Sequence, residues 1–155
     1  MRYIALILML IAPSFAAASS KPEWANWSYA DLPPIQVELL DDATGGCWTN
    51  IGEVKTYAED KLRLAGASVL DSTGNNYSPV ANGKAALFAL TVKGKRHEYG
   101  FCWGAIDLKL VKFIKDGNIN GTFSYAYTGF TIMRVKNFNN DVLDVVGEIV
   151  ETWGK

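Results

Sequence analysis

The chain has 155 residues, 15 basic and 16 acidic side chains, and a formal charge of −1. Hydrophobic residues make up 49% of it, which excludes a solvated, disordered chain and suffices for one ordinary globular core. The charges are scattered with no block of like sign, which argues against a nucleic-acid binder or an acidic tail protein.

Arg2 precedes an apolar run from Ile4 to Ala12. Pro13-Ser14-Phe15 interrupts the run, and Ala16-Ala17-Ala18 follows. This is the pattern of a secretory signal over residues 1–18 with a small-x-small cleavage site. The run is shorter than the ~20 apolar residues of a membrane span, so no transmembrane anchor is expected. No cysteine follows the cleavage region for lipid attachment. The expected location is therefore periplasmic or secreted.

Residues 19–34 read as an irregular arm closed by Pro33-Pro34. Its Trp24, Trp27 and Tyr29 would either engage a partner or a membrane surface, or fold back over the core. The packing of large aromatics favours the second reading. Residues 35–155 read as a single domain. Ile35 to Leu40 predicts a strand with Ile35, Val37 and Leu39 on one face. A turn with Asp41-Asp42 and Gly45-Gly46 leads to a helix from about Thr49 to Ala65. Asn50 and Glu53 form a capping-box-like pair at its start. Ile51, Val54, Ala58, Leu62 and Ala65 make its apolar stripe, and Gly66 is a natural residue to follow its end. Ala67 to Leu70 predicts a second strand. A strand, a helix of this length and a strand make a parallel crossover unit.

Residues 71–84 read as a loop. Three strands are then expected, Ala85–Lys93, His97–Ile114 and Thr122–Val135, joined at Gly94-Lys95 and at 115–121, where Asp116-Gly117 and Asn120-Gly121 are turn pairs. They form an antiparallel meander. In the middle strand the aromatic positions Tyr99, Phe101 and Trp103 are odd and the aliphatic positions Ile106, Leu108 and Leu110 are even. A bulge near Gly104-Ala105 would reconcile them. A helix from about Asn140 to Trp153 closes the chain. The expected class is α+β: a two-layer sandwich with a βαβ crossover, a meander, and the last helix on the same sheet face.

Cys47 and Cys102 are the only cysteines. In an exported domain they most simply form one disulfide, which in the chain-entropy model contributes about 4 kcal/mol. The rivals are a reactive thiol with His97 as its base, or a metal site. Five strand residues separate His97 from Cys102, about 16 Å if extended, with the two on opposite faces. Two cysteines and one histidine are too few to close a tetrahedral site. Asp41-Asp42, with Asp71, would line a cation or sugar site at the strand ends. They lack calcium-loop spacing and read more simply as turn acids. Thr44-Gly45-Gly46 lacks the further glycines and the lysine of a phosphate loop. No cofactor, no metal and no catalytic residue is expected.

Tyr99, Phe101 and Trp103 on one strand and Phe123, Tyr125 and Tyr127 on its neighbour are the strongest binding candidates. If helices cover them they are core. If their face is open they make a stacking platform for sugars, peptides or a partner protein.

Gly46-Cys47-Trp48-Thr49-Asn50-Ile51-Gly52-Glu53-Val54, continuing to Leu62-Arg63-Leu64-Ala65-Gly66, resembles a pattern in small exported bacterial proteins of uncharacterised function. The helix ending near Trp153 is similar too. The order of elements resembles periplasmic αβ domains of the TolB N-terminal and curli-secretion lipoprotein type. The resemblance implies a periplasmic accessory or interaction module and transfers no catalytic residue. A non-enzymatic binding module for an envelope protein, saccharide or peptide is the expected function. A small envelope hydrolase or thiol enzyme is the alternative.

Overall fold

In a computed structural model that describes residues 27–71, 77–116, 119–135 and 137–154, the first strand, β1 (Ile35–Ala43), pairs in parallel with β2 (Ala86–Arg96). Parallel neighbours need a crossover between them. The helix α1 (Ile51–Leu64) supplies it. β3 (Cys102–Asp116) and β4 (Ile119–Val135) then add antiparallel, giving one four-stranded sheet in the order β1-β2-β3-β4. The last helix, α3 (Phe138–Trp153), lies beside α1 on the same side of the sheet. The α+β architecture expected from the sequence is present.

The register explains why these strands form. Every second residue of β2 (Ala86, Phe88, Leu90, Val92) is buried, as are Ile106, Leu108 and Leu110 opposite. Ile35 and Val37 continue the layer on β1. Val54, Ala58 and Leu62 of α1 and Val142, Val146, Ile149, Val150 and Trp153 of α3 close over it. Trp153 meets Phe88 edge-on at 6.1 Å. Both helices begin at the same end of the sheet. There the Thr49 amide donates to Asn139 Oδ1 at 3.0 Å, and the Asn139 amide group donates to Thr49 Oγ1 at 2.8 Å. Lys61 and Glu151 pair at 2.7 Å near the helices' other ends.

Five local expectations are corrected. Gly94-Lys95 is not a turn: both lie in β2, opposite Gly104 and Trp103, and the chain turns at residues 97–101. Ala67–Leu70 is not a full strand: it makes a single parallel bridge, Val69 with Ile35, through the Ile35 and Leu70 amides. The parallel partner of β1 is instead β2, whose longer alternating stretch pairs along all nine β1 residues. Asn120-Gly121 lies within β4, paired with Lys115 and Ile114, and is not a turn. β3 keeps one phase throughout. The register shifts arise because β4 carries an extra residue at Tyr125 and another opposite Trp103. Asn50 and Glu53 bond through their side chains at 2.9 Å, and Asn50 makes no side-chain cap to the backbone. At the other end of α1, Gly66 takes φ +94°, and its amide and that of Ala67 close back on Arg63 and Leu62, the expected helix stop.

The arm's described part folds back. A single 3-10 turn, Tyr29–Asp31, buries Tyr29, whose hydroxyl donates to the Val150 carbonyl at 3.1 Å. Burial pushes the Tyr29 phenol pKa up. Trp27 packs edge-on against Tyr29 and Tyr125. Trp24 and the signal-like residues 1–18 lie outside the described residues.

Gly104 faces Gly94 across β2 and β3, and a Cβ there would run into the Lys93 carbonyl. Gly104→Ala is therefore expected to destabilise the protein by about 1–3 kcal/mol in urea unfolding. Gly121→Ala, where a Cβ meets nothing, serves as the control. Equal effects would show that this close approach is absent.

Candidate functional site

Both described long helices lie on one face of the sheet. On the other face, among the described residues, only the short helix α2 (Ser78–Ala81) sits, at one end. The Tyr77 hydroxyl donates to Glu38 at 3.1 Å there, and the carboxylate raises the phenol's pKa. Val80 is buried beneath it. Leu87, Phe113 and Ile114 line the groove of about 500 Å³ beside α2.

Among the described residues nothing covers the rest of this face. Directly opposed residues of antiparallel strands share a face. The pairs that alternate with the buried ones are Ala89 with Lys109, Thr91 with Asp107, Lys93 with Ala105 and Lys95 with Trp103 on β2 and β3. On β4, Tyr127, Gly129 and Thr131 oppose Lys109, Asp107 and Ala105. The floor is made of small side chains with aromatics standing at both ends. Tyr127 reaches across Gly129 to donate to Asp107 at 3.2 Å. A Cβ on Gly129 would sit 3.1 Å from that carboxylate, so the glycine gives this diagonal its room. The Asp107 charge, then the hydrogen bond to it, raise the Tyr127 pKa. Lys109 Nζ lies 5.5 Å from the Tyr127 ring centroid.

At the other end Trp103 is 47% exposed. With Asp42, Lys93, Gly94, Lys95, Gly104, Ala105 and Thr131 it lines a shallow groove of about 410 Å³. Neither Lys93 nor Lys95 makes an ion pair among the described residues. An indole face beside two free ammonium groups can stack on a flat or ring-shaped ligand and attract its negative charge.

The six aromatics singled out in the sequence do not form one platform. Trp103 and Tyr127 share the open face but stand about six residues apart along it, roughly 20 Å. Tyr99 and Phe101 precede β3 and belong to the hairpin tip, where His97 stacks on Phe101 at 4.6 Å and on Tyr99 at 5.0 Å. The Tyr99 amide donates to His97 Nδ1 at 3.3 Å. Phe123 and Tyr125, the latter being the extra residue of β4, meet each other at 5.1 Å, and Tyr125 continues to Trp27. Burial raises the Tyr125 phenol's pKa. The lysines flanking Trp103 were missed in the sequence. Their alternation with Val92 and Gly94 marks them as outward-facing, but only the pairing of β2 with β3 sets them beside Trp103.

Cys47 and Cys102 are joined, with their Cα atoms 5.7 Å apart. Next to the bridge the Arg96 guanidinium donates to the carbonyls of Gly45, Gly46 and Gly100. Asp41 and Asp42 end β1, whereas Asp71 follows the residues bridged to Ile35 at its start and pairs with Arg63 at 2.9 Å. The three acids are not brought together. Among the described residues no helix is long and apolar enough to cross a membrane.

No protein-family model matches the chain, and no curated protein matches it. Among solved structures it is similar to a variant of the PelC dodecamer from Paraburkholderia phytofirmans, at 12% identity and a TM-score of 0.50, over 88% of this chain and 96% of that one. A second PelC dodecamer structure from the same organism matches at 11% identity and a TM-score of 0.45, over 87% and 93%. At this identity the first likeness defines a shared fold, a one-sided α+β sheet, and nothing finer.

Thiol titration is expected to find no reactive sulfur in the native protein and two after denaturation with reductant. Cys47→Ala/Cys102→Ala should lower unfolding stability by up to about 4 kcal/mol. A native free thiol would contradict the bridge.

Proposed function

We propose that the protein is an exported, non-enzymatic binding or accessory module that holds an acidic saccharide on the open sheet face around Trp103. The observation that carries the reading is the exposed indole with Lys93 and Lys95 beside it, above a floor of glycine, alanine and threonine. Neither lysine is in an ion pair among the described residues, and the two outnumber the one carboxylate of the groove, Asp42. Sugar rings present flat C–H faces that pack on an indole, and carboxylates on the sugar are drawn to the lysines. A small-residue floor lets an extended chain lie close. The signal-like residues 1–18 and the disulfide support export, since disulfides persist in oxidising compartments. The shared fold with PelC, whose structures are of dodecamers, fits an accessory protein that works as an assembly.

The alternative, a small hydrolase or thiol enzyme built on His97, Cys102 or Asp41-Asp42, has less support. The Cys102 sulfur is in the bridge and the His97 ring stacks on Phe101 and on Tyr99.

The test is titration of the mature protein with oligogalacturonate, read by tryptophan fluorescence and calorimetry. Binding is expected to weaken with salt. It should fall about tenfold or more in Trp103→Ala and in Lys93→Ala/Lys95→Ala, with circular dichroism and melting temperature unchanged. Binding that survives both substitutions, or a preference for neutral oligosaccharides or acidic peptides, would overturn this assignment.

A further inference from the structure

We propose that the free edge of β4 is a strand-addition site, and that its occupant is β4 of a second copy of this chain, paired antiparallel so that the four-stranded sheet continues to eight.

β4 is the terminal strand of the sheet. Pairing with β3 uses one of its edges. Along the other, no backbone hydrogen bond to another segment is made among the described residues. Such an edge is a template for another strand, and proteins ordinarily blunt it with lysine, proline, brevity or a covering element. β4 uses few of these. It is 17 residues long, and from Gly117 to Met133 the sequence has no charge and no proline. Its residues are strong strand formers, among them Thr122, Phe123, Tyr127, Thr128, Phe130 and Ile132. The opposite edge of the sheet is protected differently. Pro33-Pro34 precedes β1, Val69 bridges its start, and Glu38, Asp41 and Asp42 charge the rest.

The kind of occupant follows from the chemistry. Unpaired amides and carbonyls take an extended backbone. A strand without charges meets a copy of itself with no like charges opposed, and a two-fold axis makes such pairing self-complementary. The extra residue at Tyr125 interrupts the register of β4, but Ala126–Ile132 pairs with β3 in unbroken register and offers a seven-residue seam. A two-fold at Gly129 would set Tyr127 and Thr131 opposite one another across it. That axis is perpendicular to the sheet, so the two open faces would join on one side. The proposal stands whether or not that face binds a saccharide.

The test is sedimentation of the mature protein, residues 19–155, over a wide concentration range, with amide hydrogen exchange at each concentration. A reversible dimer is expected, with β4 amides that gain protection as it forms. Tyr127→Lys/Thr131→Lys places like charges across the seam and should weaken the dimer about tenfold or more. Exchange in the unmodified protein decides the matter even if that variant folds poorly. Any of three results overturns the proposal: a monomer throughout, an oligomer with unprotected β4 amides, or concentration-independent protection that disappears on deletion of residues 19–26, which would make the chain's own arm the occupant.

Discussion

Because β1 and β2 run side by side in the same direction, the chain must travel back along the sheet between them, and α1 is that return. Its apolar stripe needs a surface, and the inward residues of β1, β2 and β3 provide it. Once α1 is seated, α3 can bury its own broad apolar side only beside it, since the two share Gly147, which packs against Tyr57, and the Lys61–Glu151 pair. Both large helices therefore occupy one face. Among the described residues the other face is left with α2 at one end, and the candidate saccharide site lies on what α2 does not cover.

The end of the sheet where both long helices begin is the most cross-linked part of the molecule. The disulfide joins the loop before α1 to the first residue of β3. Arg96 ties the same loop and the hairpin tip to the end of β2 through three carbonyls. Thr49 and Asn139 fasten the helix starts to each other. Trp103 follows the bridged Cys102 directly. The backbone that carries this surface aromatic is already ordered before a ligand binds, which lowers the cost of association. The oxidation that links the cysteines thus also fixes the backbone next to the indole.

Much of this was legible in the sequence because it rests on local periodicity. The alternation in β2, the helical stripe of Val54, Ala58 and Leu62, the stop at Gly66 and the two cysteines each carry their own signal. What was not legible depends on partners distant in sequence. Ala67–Leu70 has strand-like residues, but it meets β1 on the edge away from β2 and only at Ile35, a single bridge that no local pattern announces. Tyr99 and Phe101 alternate like strand residues, yet Gly100 at φ +85° turns the chain there. Tyr125 shares its spacing with Phe123 and Tyr127, and only the register with β3 shows that it is an inserted residue. The open site was half visible: Trp103 stood out as an aromatic, whereas Lys93 and Lys95 belong to another strand, and no pattern along one segment reveals that they flank it.

The claim at the centre of this account is that one sheet face is open and that its exposed end around Trp103 is where a ligand rests. Hydroxyl-radical footprinting of the mature protein, with and without an acidic oligosaccharide, tests it most directly. The account predicts that Trp103 is oxidised readily in the free protein, while Trp48 and Trp153, both buried, are not, and that ligand protects Trp103 selectively. A Trp103 that is already protected in the free monomer, or one that stays reactive when the oligosaccharide is bound, would contradict it.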